Sequence, residues 1–590
     1  MDKYEKIVEL ARRRGFFWPS VEIYGGVRGF IDLGPLGALL KKNIEEKWRR
    51  FFVLDHQEFM VEIVTPVIMP AKVFEASGHV EHFTDYIVEC KVCGRKYRAD
   101  HLIEEAIEAT GLERLSAGEL TELIRKENIR CPECGGELGE VRKFNLLFRT
   151  TIGPYSENVG YARPEAAQGM FTAFKRVYEC TRRRLPLGIA QIGRVMRNEI
   201  SPRQGPIRLR EFTIMELELF FDPENPRCEL LDRVADEELR ILTEEDVAEG
   251  RKEPRVVTVK EAVNRKLIIC EWLAYFMAIG KRFVESLGIP EDKQVFIAKL
   301  PEERAHYSAQ TFDQLVLLDR WGWVEVAGHS YRTDYDLSRH MQYSGEDLRV
   351  FQEYEKPVIK RYVEVRPLMR IIGPKFKEKA KEIAEELAKI PGELILKELK
   401  EKGYLEVKEE RITEDMLEVK VKEVKETGRR FIPHVAEPSY GLERLIYATL
   451  EYAYTEKDDR VVLKLPPDVA PIKVVVLPLI LREGIPEKAR EVYELIKRLG
   501  ITVMYDDSGS IGRRYARADE IGVPIAVTID GQTLKDDSVT LRDRDTWAQV
   551  RVPIADLPDI LIKYMHGLIR FEDLIKKYGR YKAQVEEERR

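Results

Sequence analysis

The chain has 590 residues, 44% hydrophobic and 34% charged, with a net charge of −6. That length exceeds one core and predicts roughly three to five compact units; no apolar run reaches membrane-spanning length and no charged-then-apolar leader follows Met1, which leaves the cytoplasm as the default compartment. Seven cysteines in so long a chain argue against a disulfide framework, and the acidic balance has the wrong sign for a protein that binds RNA by bulk charge.

Leu36, Leu39, Leu40, Ile44, Trp48, Phe51 and Phe52 fall at helical spacing, and Phe59, Val61 and Ile63 then alternate as a strand does, ending at Pro66. Two Cys-x-x-Cys pairs, Cys90/Cys93 and Cys131/Cys134, follow, with a helical stretch over 102–127 between them. Residues 189–195 read as a strand, and so does the alternation after Arg210 that puts Phe212, Ile214 and Glu216 on one face. A polar loop with Pro, Gly and Arg joins the two into a hairpin. Residues 222–300 open on a Pro-rich break and continue as amphipathic helices. Residues 341–425 are rich in Lys and Glu, with strand alternation at Leu417, Val419 and Val421. A glycine-containing turn at 437–444 opens an apolar helix through Leu450. After Leu465-Pro466-Pro467 the pattern becomes strand (472–477), helix (486–499), strand (501–505), helix (513–521), strand (525–529), which implies an α/β domain with right-handed crossovers. The charged tail from Glu586 is expected to fray. Abundant charge with scarce Asn and Gln leans towards a thermophile.

The hairpin carries Arg197-x-Glu199, then Arg208, Arg210, Phe212 and Glu216. A guanidinium fork grips phosphate bidentately, and an aromatic face can stack a base. The set suits a nucleoside triphosphate bent over a second anionic substrate. The cysteine pairs are followed by Gly94 and by Gly135-Gly136, which permit tight turns around a bound metal, and four thiolates favour tetrahedral Zn²⁺. A metal-free relic and a redox pair are the competing readings. Cys180, Cys228 and Cys270 are isolated and read as core packing. His79, His82, His306, His329 and His434 have no metal spacing and read as packing or substrate-adjacent. From Pro471 to Arg590 there are 21 basic and 20 acidic side chains, so RNA binding there rests on local patches. Arg513, Arg514 and Arg517 are candidates; the alternative is a solvated helix face.

The hairpin resembles motif 2 of the class II aminoacyl-tRNA synthetases. The helix and strand ending at Pro66 are similar to motif 1, and EPSYGLER (437–444) is similar to motif 3. Within that class, DLGPLGALLKKNIEEKW (32–48), FNLLFRTTIGP (144–154), RPEAAQGMFTAFKR (163–176), WGWVEVAGHSYRTDYDL (321–337) and EPSYGLER resemble the glycyl-tRNA synthetases of the archaeal and eukaryotic dimeric type. DSGSIGRRYARADEIGVP (507–524) resembles the anticodon-binding domain shared by the glycine, histidine, proline and threonine enzymes. Ala166 and Ala173 depart from the family, which usually has Thr and often Asn there.

The resemblance implies a mixed α/β and α+β multidomain fold, with an antiparallel-sheet catalytic core carrying insertions and a C-terminal α/β anticodon-binding domain. Core segments are expected at 1–83, 144–221, 301–340 and 426–465, insertions at 84–143, 222–300 and 341–425, and the anticodon-binding domain at 466–590. It implies an ATP-dependent glycine–tRNA ligase acting on tRNA(Gly), a homodimer through motif 1, with Mg²⁺ and a structural Zn²⁺ on Cys90, Cys93, Cys131 and Cys134.

By the same resemblance, Arg197 touches the α-phosphate and the amino-acid carboxylate, and Glu199 accepts from the adenine amino group. Phe212 stacks on adenine from one side and Arg444 covers the other, while Arg208 reaches the γ-phosphate. Glu325 holds Mg²⁺; Asn198, Leu209, Val326 and Gly441 complete the ATP site. Glycine offers no side chain to grip, so affinity comes from its charged ends and specificity from exclusion. Glu165, Glu216 and Glu437 are expected to hold its ammonium, Ser439 to sit against its α-carbon, and Arg98, Phe212 and Pro438 to complete its site. Against this, each glutamate could instead form a structural salt bridge with an arginine such as Arg163 or Arg210. Rival functions are a non-catalytic relative, which predicts loss of Arg197, Glu199 or Arg444, an inert RNA-binding module, which predicts an eroded glycine pocket, and a sister synthetase of other specificity.

Overall fold

The computed structural model describes residues 2–107, 112, 115–202, 205–301, 303–482 and 484–581. The chain divides into two units, Met1–Leu348 with Pro433–Arg590, and Arg349–Ile432.

The first unit is organised by a nine-stranded sheet made of β1 (Met60–Glu62), β2 (Leu187–Met196), β3 (Glu211–Phe221), β4 (Glu238–Leu242), β5 (Arg255–Thr258), β6 (Gln294–Ala298), β7 (Gln310–Leu318), β8 (Gly322–Thr333) and β9 (His434–Gly441). Their order across the sheet is β5-β4-β6-β7-β8-β9-β3-β2-β1. Only β1–β2 and β4–β6 pair in parallel. The antiparallel-rich sheet and its flanking helices are the fold class expected from the sequence.

Strand period decides what each face offers. On β3, Met215, Leu217, Leu219 and Phe221 enter the main apolar core, which leaves Phe212, Ile214, Glu216 and Glu218 on the opposite face. On β9, Ala436 and Tyr440 enter the core, and Glu437, Ser439 and Gly441 face the other way. Between β7 and β8 the register slips at Gln314/Leu315, so that Ala327 pairs Gln314 while Glu325 pairs Leu315. The slip carries Glu325 to the face that also bears Ser330 and Arg332, which meets Glu437 and Glu165 there.

Helices close the core from one side. Helix α1 (Lys3–Arg14) starts with a reciprocal Asp2–Glu5 capping box and ends at Gly15, whose φ of 81° suits glycine. Helix α2 (Pro35–Phe52) buries Leu40, Ile44, Trp48 and Phe52 completely, the four-residue spacing that marks this helix in the sequence. On the opposite face of the sheet lies α3 (Ala167–Cys180), whose Phe171 and Phe174 pack on Phe220. Helix α4 (Glu271–Ser286) packs beneath β8 and β9, α5 (Tyr335–Ser344) against α3, and α6 (Leu442–Ala453) against α2 and β3.

Two expectations for 222–300 fail. This stretch contributes the short strands β4, β5 and β6, which form one side of the main sheet. Its long helix α4 is buried from Trp272 to Ile279 without interruption, because sheet and neighbouring helices enclose it; the polar face of an amphipathic helix is missing. Cys228 and Cys270 are buried as expected, whereas Cys180 is exposed at the end of α3.

Residues 84–143 form a three-stranded sheet (Thr84–Glu89, Lys96–Arg98, Arg142–Asn145) with helices Ala99–Ile107 and Ala117–Lys126. Residues 108–111, 113 and 114 of the helical stretch lie outside the described residues. The C-terminal sheet joins β10 (Val474–Pro478), β11 (Val503–Tyr505), β12 (Ile525–Ile529), β13 (Ser538–Asp543) and β14 (Gln549–Pro553) in the order β11-β10-β12-β13-β14, with its first three strands parallel. Helices α7 (Ile485–Arg498) and α8 (Ile511–Glu520) make the crossovers. The tail from Glu586 lies outside the described residues.

On α8 the three candidate arginines divide. Arg514 is buried and donates to the carbonyls of Pro478 and Gly509. Arg517 forks onto Asp506 at 2.7–3.0 Å. Arg513 alone is exposed. Neither an RNA-facing trio nor a solvated face describes them, because two act as internal braces.

The second unit is a long antiparallel pair, Val350–Pro367 with Leu417–Phe431, and a small hairpin, Tyr404–Val407 with Glu410–Thr413. Three helices, Met369–Phe376, Ala380–Leu387 and Gly392–Lys402, close over Ile372, Ile383, Ile395 and Ile412, all of them fully buried. The alternation at Leu417, Val419 and Val421 belongs to the second long strand.

Among the described residues, no helix is long and apolar enough to cross a membrane.

Candidate active site

A cavity of about 430 Å³ opens on the face of the sheet away from the main core. Arg197, Glu199, Arg208, Leu209, Phe212, Glu325, Val326, Gly441, Arg444, Glu165, Glu216, Glu437 and Ser439 all line it. They come from the segment before α3, the loop after β2, β3, β8, β9 and the start of α6. Three expected residues do not line it. Pro438 points to the other face of β9. Asn198 is held through its backbone N–H to the Leu146 carbonyl at 2.7 Å. Arg98 forks onto Asp100 at 2.9 Å and pairs with Asp85 at 3.4 Å.

One end of the cavity is rich in guanidinium groups. Arg197 lies between two rings, 5.7 Å from the Phe83 centroid and 5.4 Å from that of Phe212, and its Nε donates to the Pro164 carbonyl at 3.2 Å. Stacked and tethered, its head is aimed before any ligand arrives. Arg444 donates to the carbonyls of Ile207 at 2.9 Å and Glu325 at 2.7 Å and meets the Glu325 carboxylate at 3.3 Å. Glu443 accepts from the Thr213 backbone at 2.8 Å and ties α6 to β3. Arg208 is paired with Glu199 at 2.8 Å.

Asp313 stands across from Glu325 in this end. Burial and the Glu325 charge push its carboxyl up to about 7, against the opposing Lys299 ammonium 2.9 Å away. Burial also acts to raise Glu325, but Arg444, Lys299 and Arg197 outweigh it and leave its carboxyl below the ordinary value. Two oxygen ligands so placed, one of them ionised, suit a hard divalent cation.

The other end is acidic. Arg332, fully buried, organises it. Its Nε and one terminal nitrogen fork onto Asp336 at 2.8 and 3.0 Å, another meets Glu437 at 3.0 Å, and Glu165 lies at 3.4 Å. The Tyr307 ring covers the guanidinium at 3.7 Å. Gln168 bridges Glu165 and Asp336 at 2.9 Å each. His79 approaches Glu165 at 3.6 Å and is itself held by Ser77 at 2.8 Å. Glu216 accepts from the Ala166 backbone at 2.7 Å. Burial raises Glu165, yet Arg332, His79 and Gln168 together hold its carboxyl well below the usual range. Burial and the Glu165 charge raise Glu216. Burial pushes Glu437 well up, against the pull of Arg332, and the neighbouring Glu216 and Glu165 charges add to the rise.

The salt-bridge alternative for the glutamates named the wrong arginines. Arg163 donates to the carbonyls of Arg194 and Thr65 and to the Thr65 hydroxyl, passing so close beneath Gly193 that a Cβ there would lie 2.1 Å from its terminal nitrogen. Arg210 donates to the carbonyls of Glu199 and Arg28. Arg332 takes the part instead. It belongs to RTDYD (332–336), inside a segment that carries the family resemblance, but the sequence assigns it no site role, and none to Asp313, Lys299 or Tyr307. The signal for Asp313 is that it is the single charged residue of its strand, on the parity opposite to the core-facing Phe312, Val316 and Leu318. His79 and His306 line the cavity; His329 is buried in the core, where burial brings its imidazole down to about 3.

The cysteine pairs meet in the 84–143 unit. All four sulfurs lie within 4.8 Å of one another, with Cys90–Cys134 at 3.6 Å and Cys93–Cys131 at 3.7 Å. A tetrahedron with ~2.3 Å arms has edges of roughly 3.8 Å, so the set fits zinc. Equivalent turns bring the Gly94 N–H to the Cys90 carbonyl and the Gly135 N–H to that of Cys131, both at 2.9 Å. Burial opposes ionisation of Cys131, but the Tyr97 hydroxyl and the backbone N–H groups of Cys134 and Glu133 bring its thiol down to about 6.

Comparison with known proteins agrees with this arrangement. Residues 473–564 match the family described as Anticodon binding domain. A glycine–tRNA ligase of Aeropyrum pernix is 58% identical over 97% of this chain and 98% of its own length. Those of Pyrococcus furiosus and Pyrococcus abyssi are 49% and 48% identical, each over 96% of this chain and 100% and 99% of their own. Identity at this level, over nearly all of both partners and with the three motif-like stretches gathered on one sheet, places the chain in the glycine–tRNA ligase family.

Proposed function

We propose that the cavity joins glycine to ATP and then to tRNA(Gly). What supports this most is its polarity: guanidinium groups at one end, buried carboxyls at the other. Glycine's carboxylate attacks the α-phosphate of ATP and pyrophosphate leaves. The terminal ribose hydroxyl of the tRNA then attacks the carbonyl carbon of the adenylate and AMP leaves. No covalent link to the protein is needed, so the protein contributes alignment and charge compensation.

In this reading Arg197 bridges the α-phosphate and the glycine carboxylate. Phe212 and Arg444 sandwich adenine, and Glu199 accepts from its amino group. Arg208 must first release Glu199 to reach the γ-phosphate. Glu325, with Asp313 beside it, would hold Mg²⁺, which offsets charge on the phosphates. Glu165, Glu216 and Glu437 hold the ammonium, and Ser439 leaves no room for a methyl group at the α-carbon. Pyrophosphate exchange run with each amino acid in turn tests this. Glycine should drive exchange at least tenfold above alanine and serine, the discrimination of about 1–3 kcal/mol that one methylene supports. Equal exchange with alanine would defeat the specificity claim.

Zinc on the four cysteines would clamp the two turns and fold the 84–143 unit. Helix α2 and β1 would form the contact between two copies. The division into core segments, insertions at 84–143 and 341–425 and a C-terminal domain from residue 466 belongs to the same proposal. Native mass spectrometry should show the mass of two chains with one zinc ion on each; a single metal-free chain would contradict both proposals.

A further inference from the structure

The acidic end of the cavity holds more carboxyl groups than its cations can balance. Glu216 and Glu437 approach each other there, both buried, with carboxyl oxygens within 4.8 Å. Two ionised carboxylates so close in a buried site repel each other, and one shared proton removes that repulsion. Glu218 lies behind them, fully buried, with neither carboxyl oxygen given a hydrogen-bond partner. Its oxygens fall within 4.8 Å of those of Glu216 and Glu437. An isolated ionised carboxylate is heavily penalised in such a place, and the group stays neutral instead.

The charged and titratable groups around the pair come from several elements, among them His306, which lines the cavity near Glu165. From β8 comes Arg332, spread over Asp336, Glu437 and Glu165. From α5 comes Asp336. From the start of α3 come Glu165 and Gln168, and beside them Arg163, which donates to backbone carbonyls and the Thr65 hydroxyl. His79 reaches Glu165, and Tyr307 covers Arg332. Arg332 meets Asp336 at 2.8 Å, Glu437 at 3.0 Å and Glu165 at 3.4 Å, so one guanidinium is divided among three carboxyls, with Glu216 beside them held by the Ala166 backbone.

Resting on the glycine-site reading above, we infer that the glycine-free pocket keeps a proton between Glu216 and Glu437, and that the ammonium of glycine takes its place and expels it. Glu218 does not line the cavity and retains its own proton throughout. Each binding event therefore releases about one proton, and by linkage glycine affinity rises about tenfold per pH unit while the free pair remains protonated. The Arg197 guanidinium that meets the glycine carboxylate is always charged and takes up no proton.

Calorimetric titration of glycine into the full-length protein, in phosphate and in Tris at the same pH, counts the protons. The difference in heat between buffers should correspond to about one proton released per glycine. Glu218→Gln should leave that count unchanged; its loss would move the exchanging proton to Glu218 and overturn the assignment. His79→Gln should also keep it, and a zero count there would make the imidazole the source. Glycine binding with the same heat in both buffers would overturn proton exchange while leaving the glycine site standing. No binding heat in either buffer would overturn the pocket reading itself.

Discussion

Arg197→Ala should lose glycine-dependent pyrophosphate exchange by roughly 10²–10³ in rate while its affinity for tRNA stays close to that of the unaltered protein. The size follows from position. The side chain is fixed by two aromatic rings and a backbone carbonyl, so its charge is delivered without reorganisation as negative charge builds at the α-phosphate. Its place inside the cavity separates it from surfaces that could contact the tRNA body. Filter binding of labelled tRNA beside the exchange assay measures both quantities. A fall in tRNA affinity as large as the fall in exchange would contradict a role confined to the phosphate. Arg197→Lys keeps charge but loses the fork and the ring stacking, and should recover only part of the rate.

Arg332→Met should destabilise the protein by about 3–5 kcal/mol, the cost of stranding buried charges by removing their partner. Three carboxyls, those of Asp336, Glu437 and Glu165, lose their common guanidinium at once. The pH dependence gives the result a sign. In the unaltered protein Glu165 is held below its ordinary value, so its stabilisation is present above the unfolded-state value near 4.3 and is lost as pH falls through the lower folded one. Without Arg332 the same carboxyl is raised by burial. Its protonated form then favours the fold at low pH, and stability is lost as pH rises. The gap between variant and parent should therefore narrow as pH is lowered towards the ordinary carboxylate range. Thermal unfolding midpoints across that range test this, and a gap that widened on acidification would refute the assigned role.

The legible parts of this molecule are those where a local pattern carries the message. The four-residue spacing of Leu40, Ile44, Trp48 and Phe52 announces α2 because one helix face is buried. The two cysteine knuckles and the parity of Phe212, Ile214 and Glu216 are equally local. Strands β4, β5 and β6 were missed because each is a short run lying directly beside a helix and is absorbed into the helical pattern around it, and α4 was misjudged because a fully enclosed helix shows no polar face. Arg332 was illegible for a different reason. Its partners Glu165, Asp336 and Glu437 arrive from three separate stretches of chain, and no spacing along the sequence says which charges a buried guanidinium will gather. Arg514 shows the converse: a basic residue on a helix that turns inward to brace backbone carbonyls.

The slipped pairing between Gln314 and Leu315 has a consequence for how this protein can vary. Glu325 and Arg332 are an odd number of residues apart, so an uninterrupted strand would send them to opposite sides of the sheet. One extra residue's worth of offset lets a single strand serve the phosphate end and the amine end together. The segment between them is thereby frame-locked: any side chain on it can be exchanged and tested, but a single insertion or deletion would part the two halves of the chemistry.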